Sequence, residues 1–229
     1  MKKRTILIGI TVLILGTFLH FSQNALATTV TYNGRVAFET MLGVQIIDDY
    51  SASGYNVDGD LNNPDNLSNN EMNNVLDETN YTTTGQLNEN IIFNQALNPA
   101  YRTGNNGSFL LDFTSTSVGD STGVFGVGFD YYNHHAPLYH AYVTFGDSST
   151  ADYALSQVNF PSLQFFGITS DLAIQSIHLG LINGGTTTEG AFGIDNLTVG
   201  AAVPEPTTML LLGIGLIGLA GARRKIKNL

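Results

Sequence analysis

Tyrosine side chains are concentrated in one stretch of the chain, residues 131–142. Aromatic faces beside a few convergent polar groups form typical ligand platforms, and tyrosine rings can stack on the rings of sugars. We therefore consider a carbohydrate-binding platform here. The alternative is that these aromatic strand ends pack at the edge of a β-sheet fold. The candidate platform residues are Tyr131, Tyr132, Tyr139 and Tyr142.

Histidines in the same stretch offer imidazole nitrogens as metal ligands. His134 and His135 are adjacent, so on a strand they face opposite sides of the sheet and do not easily ligate one ion. On a loop both could reach it, but no carboxylate lies at a spacing that would complete a zinc or copper site. The pattern favours aromatic packing or a sugar platform over a transition-metal site.

Oxygen ligands for calcium alternate along one loop. Asp58, Asp60 and Asn62 resemble the first half of a calcium-binding loop. The match then fails, because Asn63 stands where the turn glycine is needed and Asn69 where a glutamate would close the site. The alternative is a solvated acidic loop.

A second pair of carboxylates could share a structural calcium ion. Glu39 ends an early predicted strand, and Asp195 lies on the last predicted strand. In sandwiches similar to carbohydrate-binding modules the first and last strands often lie together, and hard oxygen ligands suit calcium. Calcium is thus the only cofactor that the sequence suggests, and the alternative for Asp195 is a hydrogen bond within a turn.

Enzyme signatures are lacking in this sequence. It contains no Gly-x-Ser-x-Gly motif and no glycine-rich loop that ends in Lys followed by Ser or Thr. Cysteine is absent, which excludes thiol chemistry and zinc sites built on cysteine. Carboxylates could be paired in many ways for glycoside hydrolysis, but the sequence singles out no pair. We expect a non-enzymatic domain, with a secreted hydrolase as the alternative.

The N-terminus has the three regions of a secretory signal peptide. Lys2, Lys3 and Arg4 precede an apolar run, and Ala25-Leu26-Ala27 supplies the small residues of a cleavage site. We assign residues 1–27 to the signal peptide and residues 28–202 to an exported domain of about 175 residues, enough chain for one good core.

The exported domain is strongly acidic. It holds eighteen acidic and two basic residues, a formal net charge of −16. Nucleic-acid binding rests on basic side chains that displace counterions, so a nucleic-acid partner is excluded. The charge fits a soluble surface or matrix protein.

The C-terminal segment, residues 203–229, reads as a sorting tail. Pro204, Glu205 and Pro206 precede an apolar run over Met209–Ala222. A short basic cluster after such a run is held on the cytoplasmic side and fixes its orientation, so we expect a single membrane-spanning helix. The cluster consists of Arg223, Arg224 and Lys225.

These three parts, in this order, resemble the PEP-CTERM sorting domain of bacterial exosortase substrates. The resemblance implies passage through the inner membrane, where the C-terminal helix holds the protein transiently and a membrane-embedded exosortase recognises the tail. It further implies removal of the tail and delivery to the cell surface or the extracellular matrix. Extracellular polysaccharide is a further expected partner. The alternative is an ordinary single-pass anchor.

Short strands dominate the predicted secondary structure. Phe109, Leu111 and Phe113 alternate with Leu110, Asp112 and Thr114, and Tyr139–Phe145 repeats this period of two. Eight to ten such strands without an amphipathic helix predict an all-β fold, an antiparallel β-sandwich of jelly-roll type. Further strands are predicted over residues 36–39, 44–47, 91–97, 124–131, 152–156, 163–169, 174–182 and 192–199.

The closing strands carry a second resemblance. Phe165–Asp171 followed by Phe192–Leu197 is similar to the last strands of many exosortase cargo domains, whose fold resembles lectin-like and carbohydrate-binding sandwiches. This implies a structural or binding role, with a lectin-like module acting on exopolysaccharide as the alternative.

Overall fold

The computed structural model describes residues 27–55, 57–58, 66–84, 89–95, 98–103, 107–133, 138–159, 161–181, 192–204 and 211–216. Most of them lie in strands that pair antiparallel, which confirms the all-β prediction. The elements in the first half are β1 Thr29–Tyr32, α1 Arg35–Glu39, β2 Leu42–Asp48, β3 Val57–Asp58, α2 Asn69–Asn73, β4 Asn80–Thr83, β5 Asn90–Gln95 and β6 Asn98–Thr103. The second half contains β7 Phe109–Asp112, β8 Val124–Asn133, β9 His140–Phe145, β10 Thr150–Ala154, β11 Gln164–Gly180 and β12 Phe192–Ala202.

Strand β11 belongs to two groups of strands. Its first half pairs with β8 over Gln164–Thr169 and with β1 over Gly167–Ser170. Its second half pairs with β9 over Ile174–Gly180 and with β7 over Ser176–Leu179. One continuous strand therefore joins the group β1, β8, β12 and β2 to the group β10, β9, β7 and β4.

Two separate strands were predicted here, over residues 163–169 and 174–182, and that division is wrong. Ser170 and Asp171 were expected to separate two strands, but both lie within β11. Ala173 adopts a left-handed φ of 58°, and the register shifts between Ile174 and Ser176. A bulge of this kind bends a strand without ending it, so the chain changes partners within one element.

The main core has the predicted alternation in its shorter strands. Phe109 and Leu111 of β7 are fully buried, as are Ala141 and Val143 of β9. Strand β8 departs from the pattern because it is buried on both faces, and Gly126 and Gly128 are as buried as the residues between them. Something must therefore cover its second face.

Helix α1 covers that face, where a strand over residues 36–39 was predicted. Its Phe38 is fully buried and packs with Leu42 and Phe165 in a small second core. A Cβ atom on Gly128 would lie 2.7 Å from the Phe38 ring, so the glycine permits this close approach. Tertiary packing of Phe38 overrides the strand preference of Val36 and Phe38.

The strand pairing establishes an antiparallel all-β fold but does not by itself establish jelly-roll connectivity. The described strands run from Thr29 to Ala202, inside the domain bounds predicted from the sequence.

Candidate functional site

The start of the sorting tail is visible at the end of β12. Pro204 is exposed and lies two residues after the end of the last strand. Residues 211–216 are helical and exposed, and no helix in the described part of the chain is long and apolar enough to cross a bilayer. The predicted spanning helix stays a prediction. The other motif residues, Glu205, Pro206, Arg223, Arg224 and Lys225, lie outside the described residues.

The four candidate tyrosines do not form an exposed platform. Tyr131, Tyr132 and Tyr139 are 2%, 6% and 1% exposed, and Tyr142 is half-buried. The ring of Tyr139 stacks on Phe192 at 4.9 Å between centroids, and burial raises its pKa to about 12. The expectation of an exposed patch was wrong, because β8 is covered on both faces and so buries both of its tyrosines, and Tyr139, just before β9, packs in the core too.

An open cleft lies beside Tyr131, at the edge of the fold. It has a volume of about 510 Å³ and lies between β1 and β10, each of which pairs with one neighbouring strand in the described structure. The end residues of β8 and β11 also line it. Its polar and aromatic lining includes Tyr32, Asn33, Asp152, Tyr153, Ser156 and Gln164.

Hydrogen bonds fix the floor of this cleft. The hydroxyl group of Tyr131 donates to Oε1 of Gln164 at 3.3 Å and accepts the backbone N–H of Ser156 at 3.2 Å. At the rim, His140 Nδ1 lies 2.6 Å from Asp152 Oδ1. Tyr131 is thus the one residue of the predicted platform that lines the cleft, and two hydrogen bonds hold its hydroxyl group.

The two half-buried tyrosines of the cleft are held by other rings. Tyr153 packs against Phe166 with 5.8 Å between centroids. Tyr32 packs against Phe38 at the same separation, and its hydroxyl group lies 3.3 Å from Oγ1 of Thr169. Neither tyrosine was selected from the sequence, because positions 32 and 153 are brought together only by the pairing of β1 and β10 with distant strands.

Arg35 occupies the region where a calcium ion was predicted between Glu39 and Asp195. One of its guanidinium nitrogens donates to Glu39 Oε1 at 3.2 Å, and the other donates to Asp130 Oδ2 at 2.8 Å. The guanidinium group also lies 4.8 Å from the centre of the Phe165 ring. Glu39 therefore has a cationic partner supplied by its own helix.

Asp195 is 2% exposed, and its Oδ1 accepts a hydrogen bond from the backbone N–H of Asn196 at 2.7 Å. Burial raises its pKa to about 6, and the negative charge of Asp130 adds to the effect. The nearby Arg35 lowers that pKa in part. Within the described residues no group of three or more His, Asp or Glu side chains could hold a metal ion, so calcium at Glu39 and Asp195 stays a prediction.

The other predicted ligands cannot be placed. The side chain of Asp58 is not described, and Asp60, Asn62, His134 and His135 lie outside the described residues. The calcium loop and the histidine pair stay predictions for that reason.

A buried carboxylate surrounded by tyrosines was missed by the sequence analysis. Asp48 Oδ2 accepts hydrogen bonds from the hydroxyl groups of Tyr55 and Tyr81, and Asp48 Oδ1 accepts the backbone N–H of Tyr50. Burial raises the pKa of Asp48, although these hydrogen bonds oppose the rise. Tyr50, Tyr55 and Tyr81 are all buried in the main core, so the cluster fits a role in packing. The signal was the set of tyrosines that flank the loop weighed as a calcium site or a solvated acidic segment, namely Tyr50, Tyr55 and Tyr81.

Comparison with known proteins gives one match. The model of the PEP-CTERM protein-sorting motif matches residues 202–225. Neither the curated proteins nor the solved structures that were searched gave a match.

Proposed function

This chain carries a PEP-CTERM protein-sorting motif, and on that premise we propose that its β domain is non-catalytic cargo with a structural or binding role outside the cell. The motif marks the chain for sorting by an exosortase system to the surface or the extracellular medium. Passage through an inner-membrane intermediate is part of the proposal.

The observation that carries the proposal is the position of the motif relative to the fold. The match begins at Ala202, which is also the last residue of β12. Removal of the tail after this point takes no residue from any described strand. The sorting tail can therefore be removed without loss of any described strand of the folded domain.

Composition supports an extracellular role for the domain. Seven of the nine basic residues of the chain lie in the first 27 or the last 27 residues, which are the predicted signal peptide and tail. What remains is an acidic domain without lysine or cysteine, stabilised by core packing. We also propose a sandwich of jelly-roll type for it, because the two groups of strands share β11 and pack around one core.

A second candidate function is a lectin-like module, and the cleft between β1 and β10 favours it. The predicted tyrosine platform no longer supports it, because three of those rings are buried. A hydrolase would require two facing carboxylates, whereas Asp152 is the one acidic residue among the described residues that line the cleft.

The proposal is tested by comparing the wild-type protein with Glu205→Ala in its own cells. We expect the wild-type protein at the cell surface or in the medium, with an intact mass that lacks the first 27 residues and the tail. Because the Glu lies between the two prolines of the motif, we expect the variant to stay in the inner-membrane fraction with its tail attached.

Glu89→Ala is the charge-matched control, since it removes one carboxylate from the exported domain and leaves the motif unchanged. It should follow the wild type in mass and location. A full tail in the wild type and in Glu205→Ala, with identical fractionation, would contradict sorting and leave an ordinary anchored protein.

A further inference from the structure

We propose that the cleft between β1 and β10 binds a neutral oligosaccharide chain. The inference deepens the proposed function, on which it rests, by giving the exported domain a ligand class and a site. It replaces the tyrosine platform with a different set of residues, of which Tyr131 alone is shared.

The dimensions of the cleft suit a short sugar chain. Its volume of about 510 Å³ lies inside the range of roughly 300–1,000 Å³ that is typical of ligand pockets. It is open to solvent and is bordered by two edge strands, so a polymer segment can enter without threading its end into a closed pocket.

The lining offers the two kinds of contact that sugars need. Tyr32 and Tyr153 are half-buried, and each ring is held in place by a neighbouring aromatic ring. Their remaining exposed surface can pack against the apolar C–H faces of a sugar ring, while side-chain hydrogen bonds fix its orientation. Asn33 and Ser156 are exposed and supply such polar groups.

Gln164 is positioned for this task by Tyr131. Because its Oε1 accepts the hydroxyl group of Tyr131, the amide nitrogen is the end that can donate to a ligand hydroxyl group. The Tyr131 hydroxyl group is itself fixed by the backbone N–H of Ser156. The donor is therefore preorganised, which reduces the entropy lost on binding.

Charge decides between a neutral and an anionic ligand. No lysine or arginine is among the described residues that line the cleft, and its acidic residue Asp152 is paired with His140. The exported domain as a whole has a formal net charge of −16. Phosphorylated or carboxylated polymers would be repelled, so we assign the cleft to uncharged sugars.

The test is isothermal titration calorimetry on the protein recovered from the surface or medium of its own cells, with its mass and location already known. The probes are neutral oligomers of four to six residues, built separately from glucose, mannose, galactose and xylose. Oligogalacturonate of the same length is the anionic probe, and a ten-residue Thr- and Val-rich peptide tests strand addition to β1 or β10.

We expect at least one neutral oligomer to bind saturably with a Kd below about 1 mM, and oligogalacturonate at least tenfold more weakly. Gln164→Leu and Tyr153→Ala should each weaken binding by about tenfold or more. Tyr153→Phe keeps the ring and should stay within about threefold of the wild type. Tyr142→Ala, a half-buried tyrosine of β9 outside the cleft, should bind as the wild type does.

Three results would overturn the assignment. The first is the absence of saturable binding by every neutral oligomer, and the second is wild-type affinity in both Gln164→Leu and Tyr153→Ala. The third is binding of the peptide with no sugar bound, which would assign the cleft to strand addition. Each leaves the sorting proposal intact, since the protein tested is already exported and trimmed; retention in the inner membrane would instead count against sorting.

Discussion

Asp195 shows how burial outweighs a nearby cation. The carboxyl group lies close enough to Arg35 for that charge to lower its pKa, yet desolvation still raises the value to about 6. The ordinary pKa of an aspartate side chain is 3.8, so the folded state holds this proton more tightly than the unfolded chain does. Between these two values the folded state binds more protons, and its stability falls as the pH rises.

Asp195→Asn should therefore change how stability depends on pH. The wild type loses stability as the pH rises from about 4 to about 6, because an unfavourable buried charge forms there, and the variant forms no such charge. Across this window we expect the free energy of unfolding of the variant to rise relative to that of the wild type, by up to about 3 kcal/mol. Urea denaturation of both proteins at pH 4, 5, 6 and 7 measures the difference.

Asp147→Asn provides a control of opposite sign. Hydrogen bonds from the side chain and the backbone N–H of Ser149 lower the pKa of Asp147, which is fully exposed. This carboxylate stabilises the folded state above its unfolded pKa, so its removal should not produce a gain as the pH rises. Parallel pH curves for the wild type and Asp195→Asn would contradict the assigned pKa of Asp195.

At the scale of elements, Phe38 packs α1 onto glycines of the sheet. Gly128→Ala would place a Cβ atom 2.7 Å from the rings of both Phe38 and Phe165. Overpacking of this kind costs about 1–3 kcal/mol of unfolding free energy, and denaturant unfolding measures that cost.

Combining Gly128→Ala with Phe38→Leu tests whether the two residues pack against each other. It makes room above residue 128, so Gly128→Ala should cost less in that background than in the wild type, by about 0.5 kcal/mol or more. Additive effects of the two substitutions would show that Phe38 does not pack against Gly128 as the structure has it.

Sequence pattern predicted some elements better than others, for physical reasons. β7 and β9 were predicted because each buries one face, so their side chains alternate in type. α1 was missed because five residues form a helix only where Phe38 finds a docking surface, and the glycines of that surface lie about 90 positions further along the chain. Ser170 and Asp171 are residue types typical of turns, but pairing with the start of β1 keeps them within β11.

The candidate cleft was even less accessible to sequence analysis. Tyr32, Tyr153 and Gln164 lie on three strands and acquire a common role only through strand pairing. Tyr131 was selected from the sequence and does line the cleft, but its expected exposure was wrong. The sorting motif, by contrast, was fully predictable because its recognition depends on order along the chain and not on folding.

At the scale of the whole molecule, net charge should govern how stability responds to salt. The eighteen acidic residues of the exported domain repel one another, and salt screens them over a Debye length of about 10 Å at 0.1 M. We expect the free energy of unfolding to rise by on the order of 1 kcal/mol between 10 mM and 500 mM NaCl. Denaturant unfolding at a series of salt concentrations measures this.

Calcium chloride at matched ionic strength separates screening from a specific ion site. Equal stabilisation by both salts indicates screening alone, whereas a further gain that saturates with calcium concentration indicates a bound ion. A fall in stability with NaCl would contradict the view that charge repulsion is a main cost of folding in this domain.

The placement of β12 has a consequence for how the domain responds to tension applied at its C-terminal end. Tension applied at Val203 enters β12 first, and this strand pairs with β8 on one side and with β2 and β6 on the other. A strand with partners on both sides does not peel away one hydrogen bond at a time. A pull along the strand is resisted in shear by many backbone hydrogen bonds at once, and β12 itself contributes no residue to the cleft between β1 and β10.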